Sequence, residues 1–205
     1  MRLNPIQCEE ISNHPQFIRL ASIADVRVDL RYASANNFVG RPVYLDLDCA
    51  WLRAEAADGL ALATQWLSAH HPQWQLCVLD ALRPQRIQEA LWATLADTPL
   101  QMYLAEPERG SIHSFGMAVD VTLLDRATGE ELDMGTGFDE MDEVSHPEFE
   151  ERFVTSKRLS TTHITHRLAL RNAMEQAGFQ SIDTEWWHFD FGNRDEVRAT
   201  LPRVL

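Results

Sequence analysis

The segment Ser111-Ile-His-Ser-Phe-Gly-Met-Ala-Val-Asp-Val-Thr-Leu123 contains the clearest β-strand signal in this 205-residue chain. In its second half, large apolar residues alternate with Ala, Asp and Thr, which is the two-residue period of a strand. Asp120 therefore projects from one face of that strand. His113 lies seven residues earlier, and Gly116 between them permits a tight turn. We expect the chain to fold back at this turn and to bring His113 over the strand that carries Asp120.

A second segment, Glu185-Trp-Trp-His188, leads into another alternating stretch that ends near Phe191. This alternation predicts a last strand with His188 near its start. Residues three apart on a regular strand face opposite sides, so Glu185 must lie in a turn or bulge before the strand if both side chains are to reach one site.

Together the two segments offer the donor groups of a hydrolytic zinc site, which needs three protein ligands, an open fourth position and a nearby base. We predict that His113, Asp120 and His188 are the ligands and that Glu185 is the general base. Cobalt, nickel or manganese would suit the same donor atoms. The alternative for Glu185 is an ordinary solvated loop carboxylate.

Two competing interpretations are weaker. His163 and His166 are three apart on a predicted helix, but no carboxylate or cysteine at matching spacing joins them, so we expect them to be exposed. Ser111 and Ser114 flank His113 and raise the idea of a serine hydrolase. The chain has no Gly-x-Ser-x-Gly segment, and a histidine held by a metal cannot serve as a base.

The flanking sequence predicts helices on both sides of the strands. A helix is predicted from about Asp48 to His70-His71-Pro72, with an apolar stripe of 3.6-residue period that starts at Leu52. Strands are predicted over 26–32 and 75–79, and a helix after Pro84 carries Ile87, Ala90, Leu91 and Leu95 on one apolar face. A polar loop is predicted over 133–147, and a helix over 161–177 is closed by Gly178. With no βαβ rhythm evident, the pattern predicts an α+β fold with a small antiparallel sheet and flanking helices.

Composition restricts the class of protein. A hydrophobic content of 45% suffices for one core, and the length favours one domain over residues 1–205. The formal charge of −13 argues against nucleic acid or an anionic membrane as a partner. We expect a cytoplasmic protein, because the first 20 residues lack a signal-peptide pattern and the three cysteines are odd in number and without a Cys-x-x-Cys pair. No pattern indicates an oligomeric state.

The sequence resembles the D-alanyl-D-alanine dipeptidases of the vancomycin-resistance type, which belong to the zinc DD-peptidase and Hedgehog-like fold family. The resemblance extends from about residue 25 to residue 192 and follows the family order. The matching segments are Asp29-Leu-Arg-Tyr-Ala33, Asn37-Phe-Val-Gly40, Leu82-Arg-Pro84, the Ser111–Asp120 segment, Met134-Gly-Thr-Gly-Phe-Asp139, Ser145-His146 and Glu185-Trp-Trp-His188. In the third of these, Leu82 replaces the tyrosine of the family motif.

The resemblance implies a function and further site residues. It implies one zinc ion per chain, held by His113, Asp120 and His188, and hydrolysis of D-Ala-D-Ala to two D-alanines with Glu185 as base. It also implies that Arg83 stabilises the developing oxyanion, as a guanidinium can; the alternative is a surface ion pair with Asp80. Asp139 and Ser111 match residues at the amino end of the dipeptide, and Tyr32 matches a residue of the pocket wall.

Two alternatives stay open at this point. The first is a zinc carboxypeptidase or endopeptidase that trims longer cell-wall peptides; the loop around Asp139 argues against it because it would close one end of the site. The second is a zinc-binding domain without catalytic activity, which the presence of both Glu185 and Arg83 disfavours.

Overall fold

The computed structural model describes residues 4–205. Within them lie seven strands: β1 (Phe17–Arg19), β2 (Val26–Val28), β3 (Trp51–Arg53), β4 (Trp74–Asp80), β5 (Ala118–Asp125), β6 (Phe179–Ser181) and β7 (His188–Phe191). The helices are α1 (Ala54–His70), α2 (Gln85–Thr94), α3 (Glu150–Thr155), α4 (Thr161–Gln176) and α5 (Arg194–Thr200). Over this part of the chain, no helix combines the length and the apolarity that a bilayer crossing requires.

Five of the strands form one sheet in the order β2-β4-β5-β7-β6. The β4–β5, β5–β7 and β6–β7 pairs are antiparallel, so the predicted α+β fold with a small antiparallel sheet is confirmed. The edge strand β2 differs, because it pairs in parallel with β4. The segment between these two strands contains α1, and a parallel pair needs such a crossover. The sequence showed no βαβ rhythm because this connection occurs once.

The central strand β5 is buried on both faces. The large apolar side chains of this strand, including Val119 and Val121, belong to a core shared with α1 and α4, to which Leu60, Leu67 and Leu170 contribute. α1 begins at Ala54, six residues later than predicted, because Trp51–Arg53 first pairs with β1. Leu52 of that strand is nevertheless buried with the predicted helical stripe.

The helix after Pro84 buries Ile87 and Leu91 as predicted, but Ala90 is exposed and Gln88 is buried instead. The amide of Gln88 explains the exchange: its Nε2 donates to the carbonyl of Ala105 at 2.8 Å, and its Oε1 accepts from a guanidinium at 3.2 Å. A buried amide is tolerated when both ends are hydrogen-bonded.

Gly116 makes the predicted turn before β5. Its φ of +69° lies in the left-handed region, and a Cβ there would come within 2.7 Å of the Phe17 ring. Glycine avoids both the strain and the clash. The turn follows a 3₁₀ helix at Ile112–Phe115, and it holds His113 against the start of β5.

The polar loop over 133–147 is fastened to α4 by a buried arginine. Arg167 donates from Nε to the carbonyl of Met134 at 2.7 Å and from Nη1 to the carbonyl of Val144 at 3.0 Å. These bonds tie down both ends of the loop, so Asp139 near its middle has a defined position although the loop contains little regular structure.

Candidate metal centre

Three potential ligand atoms converge beside the start of β7. Asp120 and His188 are paired residues of β5 and β7, and His113 reaches them from the turn before β5. His188 Nδ1 lies 2.9 Å from Asp120 Oδ1, while His113 Nε2 lies 3.2 Å from His188 Nδ1 and 3.3 Å from Asp120 Oδ1. Ligands at ~2.0–2.1 Å from a tetrahedral metal are separated by about 3.3 Å, which is the edge of that tetrahedron. The spacing of these atoms therefore fits one small metal ion.

In each histidine, the ring nitrogen that points away from the other ligands is hydrogen-bonded. This bond orients the ring so that its second nitrogen faces the other ligands. His113 Nδ1 donates to the carbonyl of Ala81 at 2.7 Å, and His188 Nε2 donates to Asp190 Oδ1 at 2.9 Å. In the neutral imidazole, each bond leaves a lone pair on the nitrogen that faces the other ligands, the usual arrangement around a metal-binding histidine. Among residues 4–205, no other trio of His, Cys, Asp or Glu side chains converges in this way.

The pKa values of Asp120 and Asp190, the two carboxyl groups of this cluster, are lowered. Burial acts to raise the pKa of Asp120, but the adjacent His113 and His188 outweigh it and hold that pKa below its ordinary value. Burial also acts on Asp190, where His188 and Arg194 lower the pKa to about 2. An anionic Asp120 can ligate a cation, and an anionic Asp190 can hold the His188 imidazole in place.

Glu185 lies in the irregular segment between β6 and β7, as the strand geometry requires. It lines the same cavity as the three potential ligands, and burial raises its pKa to about 7. A carboxyl group with such a pKa can both accept and return a proton near neutrality. The following residues, Trp186 and Trp187, are buried in the core, and Trp186 Nε1 donates to Thr136 Oγ1 at 2.9 Å.

Arg83 is a buried cation and not a partner in a surface ion pair. Its Nη2 lies 2.7 Å from Asp80 Oδ2 and 3.3 Å from Asp120 Oδ2, so one guanidinium spans a fully buried carboxylate and a potential metal ligand. The guanidinium also packs 5.1 Å from the Tyr32 ring and borders the cavity. Asp80 in turn accepts a hydrogen bond from the hydroxyl of Tyr44.

Asp139 lies on the cavity wall beside Tyr32. The Tyr32 hydroxyl donates to Asp139 Oδ1 at 3.1 Å, and Asp139 has a φ of +60°. Burial raises the pKa of Asp139 well above its ordinary value, and the charge of Asp120 adds to this effect. Ser111, which precedes the 3₁₀ helix that carries His113, is buried and borders the cavity as well.

All the residues to which the sequence assigned a role line one cavity of about 230 Å³. They are Tyr32, Arg83, Ser111, His113, Asp120, Asp139, Glu185 and His188. The cavity is small beside the roughly 300–1,000 Å³ of most ligand pockets. Its size suits a ligand of about two residues.

His163 and His166 lie elsewhere and are half-buried, which departs from the exposure that the sequence predicted. His163 shares a capping box with Ser160 at the start of α4, and its Nε2 donates to Asp133 Oδ2 at 3.1 Å. His166 Nδ1 donates to the carbonyl of Asp133 at 2.8 Å. Both side chains therefore hold the start of the 133–147 loop against α4.

Three supporting residues were missed from the sequence. Asp190 stands two residues after His188 on a strand, and that same-face spacing was the available signal. Tyr44 and Gln88 reach the cluster only through Asp80 and Arg83, so the sequence contained no local sign of their positions.

The chain is similar to several known proteins. A family model described as D-Ala-D-Ala dipeptidase matches residues 13–204. A D-alanyl-D-alanine dipeptidase of Escherichia coli (strain K12) is 36% identical over 181 residues, covering 88% of this chain and 86% of that protein. One from Enterococcus faecalis is 32% identical over 179 residues, covering 80% of this chain and 85% of that protein. The solved structure of the LD-carboxypeptidase LdcB has a TM-score of 0.47 and 16% identity, covering 91% of this chain and 72% of that one.

Proposed function

This chain belongs to the D-Ala-D-Ala dipeptidase family, and from that premise we propose which metal it uses and which residues bind and cleave the substrate. As a member of the family it is a metallopeptidase, and it hydrolyses the dipeptide D-Ala-D-Ala. The identity of the metal and the role of each residue are our proposals.

The proposed metal is one zinc ion per chain, held by His113, Asp120 and His188. Two imidazole nitrogens and one carboxylate oxygen, with the fourth position open to the cavity, are the donor set of catalytic zinc sites. When bound by these residues, zinc would supply Lewis acidity to the scissile carbonyl group and to the attacking water.

Glu185 is the proposed general base. Its carboxylate removes a proton from the attacking water and then delivers that proton to the nitrogen of the leaving D-alanine. A pKa raised to about 7 by burial supports both steps, because the group must bind the proton well enough to take it and release it again.

Arg83 is the proposed stabiliser of the tetrahedral oxyanion. Its contacts with Asp80 and Asp120 keep the guanidinium charged and fixed at the cavity wall, where it needs no reorganisation during the reaction. The same contacts occupy several of its donors, so we expect its contribution to be mainly the charge at this position.

Asp139, Tyr32 and Ser111 are the proposed binding groups for the amino end of the dipeptide. The carboxylate of Asp139 is the natural partner of an ammonium group, and the hydroxyl of Tyr32 orients it. Although burial raises the pKa of the free Asp139, an ammonium beside it favours the ionised form. Ser111 offers a hydroxyl at the same cavity.

We also propose that residues 1–205 form one domain in the cytoplasm. The family model spans residues 13–204, and one hydrophobic cluster joins the main sheet to α1 and α4. All three cysteines are buried and unpaired, in keeping with a reducing compartment.

The observation that carries the zinc proposal is the mutual spacing of 2.9–3.3 Å among the three ligand atoms, with Glu185 in the same cavity. The test is the release of D-alanine from D-Ala-D-Ala by purified protein before chelation, after chelation and after addition of zinc. Activity that survives complete removal of the metal would contradict the proposal. Faster cleavage of a pentapeptide stem would instead favour a carboxypeptidase.

A further inference from the structure

One wall of the metal cavity is cationic, in a protein with 18 basic and 31 acidic residues. Arg109, Arg194 and Arg198 all line this cavity, and the charges of Arg109 and Arg194 both act on Arg198. Three like charges so close together repel one another, so their convergence on a cavity suggests an anionic ligand.

Arg194 is the member of the group that already has a strong partner. Its Nε donates to Asp190 Oδ2, and Asp190 Oδ1 accepts from the His188 ring. This pair connects the cationic wall to the metal centre. Because Asp190 already binds Arg194, the other two arginines are better placed to accept an added anion.

Arg198 has an unsatisfied buried donor. Its side chain is only 15% exposed, and its Nε donates to the carbonyl of Gly110 at 3.2 Å. Its Nη1 is buried and has no hydrogen-bond partner within residues 4–205; its nearest carboxylate oxygen, on Asp195, is 3.6 Å away. Burial lowers the pKa of Arg198, and the charge of Arg109 lowers it further. A bound anion beside Arg198 would relieve this repulsion between like charges.

Arg109 is held in place through its backbone. Arg203 donates from Nη1 to the carbonyl of Pro107 at 3.1 Å, and from Nη2 to the carbonyls of Glu108 and Arg109 at 2.7 and 2.9 Å. Within the described part of the chain, the exposed side chain of Arg109 forms no ion pair. Its guanidinium is therefore available to a ligand in the cavity.

The cationic wall and Asp139 lie at opposite ends of a series of contacts. The series runs from Asp139 through Tyr32 to Arg83 and Asp120, and then through His188 and Asp190 to Arg194. The potential metal ligands are in its middle. A cavity lined by the Asp139 carboxylate, three potential metal ligands and a group of arginines offers a partner of opposite charge to each end of a zwitterionic dipeptide.

We propose that Arg198 and Arg109 bind the terminal carboxylate of the substrate. The proposal rests on the proposed function and deepens it, since it assigns the end of the dipeptide opposite to the one that Asp139 binds. Together the two subsites select the length of the substrate, because the residue after the scissile bond must carry a free carboxylate. A peptide extended beyond that residue places a neutral amide against two cations.

The test compares D-Ala-D-Ala with its C-terminal amide, which has nearly the same shape but no negative charge. For the wild-type enzyme we expect kcat/KM to be about 10- to 150-fold higher for the acid, the range of a charge-assisted contact. In Arg198→Met and in Arg109→Met this ratio should fall towards one, and Arg198→Lys should restore part of it. Because the side chain of Arg109 is exposed, Arg109→Met should fold like the wild type.

Two controls separate the subsite from other effects. Arg27→Met removes an exposed charge from the edge strand β2 and should leave the ratio unchanged. Asp139→Asn should slow both substrates alike, because it acts on the other end of the dipeptide. A wild-type ratio near one, or an unchanged ratio in both Arg198→Met and Arg109→Met, would overturn the subsite.

The proposed function and the subsite can fail separately. If the zinc-loaded enzyme cleaves neither compound, the proposed function is wrong. The carboxylate subsite is then tested by calorimetric titration of the acid and the amide into Glu185→Gln, with and without Arg198→Met. Preferential binding of the acid that disappears with Arg198→Met supports the subsite, and equal binding rejects it.

Discussion

The chain contains two clusters with the same composition, each of two histidines and one aspartate. His113, His188 and Asp120 form one of them; His163, His166 and Asp133 form the other. In the first, three ligand atoms lie within 3.3 Å of one another. In the second, His163 uses both ring nitrogens for hydrogen bonds within the protein, and His166 binds a backbone carbonyl.

Residue type alone therefore does not decide whether ligand atoms converge on one point. In the first cluster, the carbonyl of Ala81 and the carboxylate of Asp190 take the outer nitrogens and leave the inner lone pairs facing one another. In the second, the same chemical groups cap a helix and fasten a loop. That loop carries Asp139, so the second cluster contributes to the cavity indirectly.

The largest expected effect is the loss of metal from the first cluster. His188→Ala should reduce zinc affinity by more than the roughly 100-fold that loss of an outer hydrogen-bond partner costs, because it removes a ligand itself. His163→Ala is the matched control and should keep about one zinc per chain. Elemental analysis and chelator competition provide the measurements. Full zinc content in His188→Ala would contradict the assignment of His188 as a metal ligand.

The next effect concerns Glu185, which shares the cavity without being a ligand. Glu185→Gln should retain zinc, while kcat falls by on the order of 10² or more because the base is lost. The proposed base works when ionised, so kcat/KM should fall as the pH drops through the pKa of Glu185. That pKa is about 7 without metal, and a bound dication lowers it. The fall in kcat/KM is therefore expected below pH 7.

The pH profile of Glu185→Gln completes this test, since the acid limb should vanish with the base. If the variant keeps activity within a few-fold of the wild type, another group is the base. Asp142 and Glu143 of the neighbouring loop would then be examined by the same substitution.

A smaller effect is expected at Asp139, on the loop that the second cluster fastens. Asp139→Asn should lower kcat/KM for D-Ala-D-Ala by about 5- to 150-fold, because a desolvated ammonium loses its charged partner. Zinc content should not change. N-acetyl-D-Ala-D-Ala lacks the ammonium and should be a poor substrate for the wild-type enzyme. Comparable rates on the free and acetylated dipeptides would contradict the assignment of Asp139.

The smallest effect should come from the second cluster itself. His163→Ala breaks the capping box with Ser160 and should cost about 1 kcal/mol of unfolding free energy, a shift of roughly 2–4 °C in Tm. His163→Gln should recover part of this loss, since glutamine also completes a capping box. Thermal denaturation measures both variants. A loss of zinc in either one would show that the two clusters are not independent.

The local pattern of the sequence determined a large part of this protein. Alternation predicted the strand that carries Asp120, and the three-residue interval before His188 required Glu185 to precede its strand. Gly116 marked the turn that brings His113 back. These inferences succeed because each depends on backbone geometry within a few residues, where period and steric limits leave few choices.

Tertiary structure alone decided what surrounds those residues. The parallel pairing of β2 with β4, the span of Arg83 between Asp80 and Asp120, and the meeting of Arg109 with Arg198 join residues that are far apart in the chain or have no periodic relation. Which lone pairs of the two His–Asp clusters remain free depends in the same way on distant partners such as Ala81 and Asp133. Hydrogen-bond partners and charge balance follow from the packing of the whole chain, and local sequence does not contain that information.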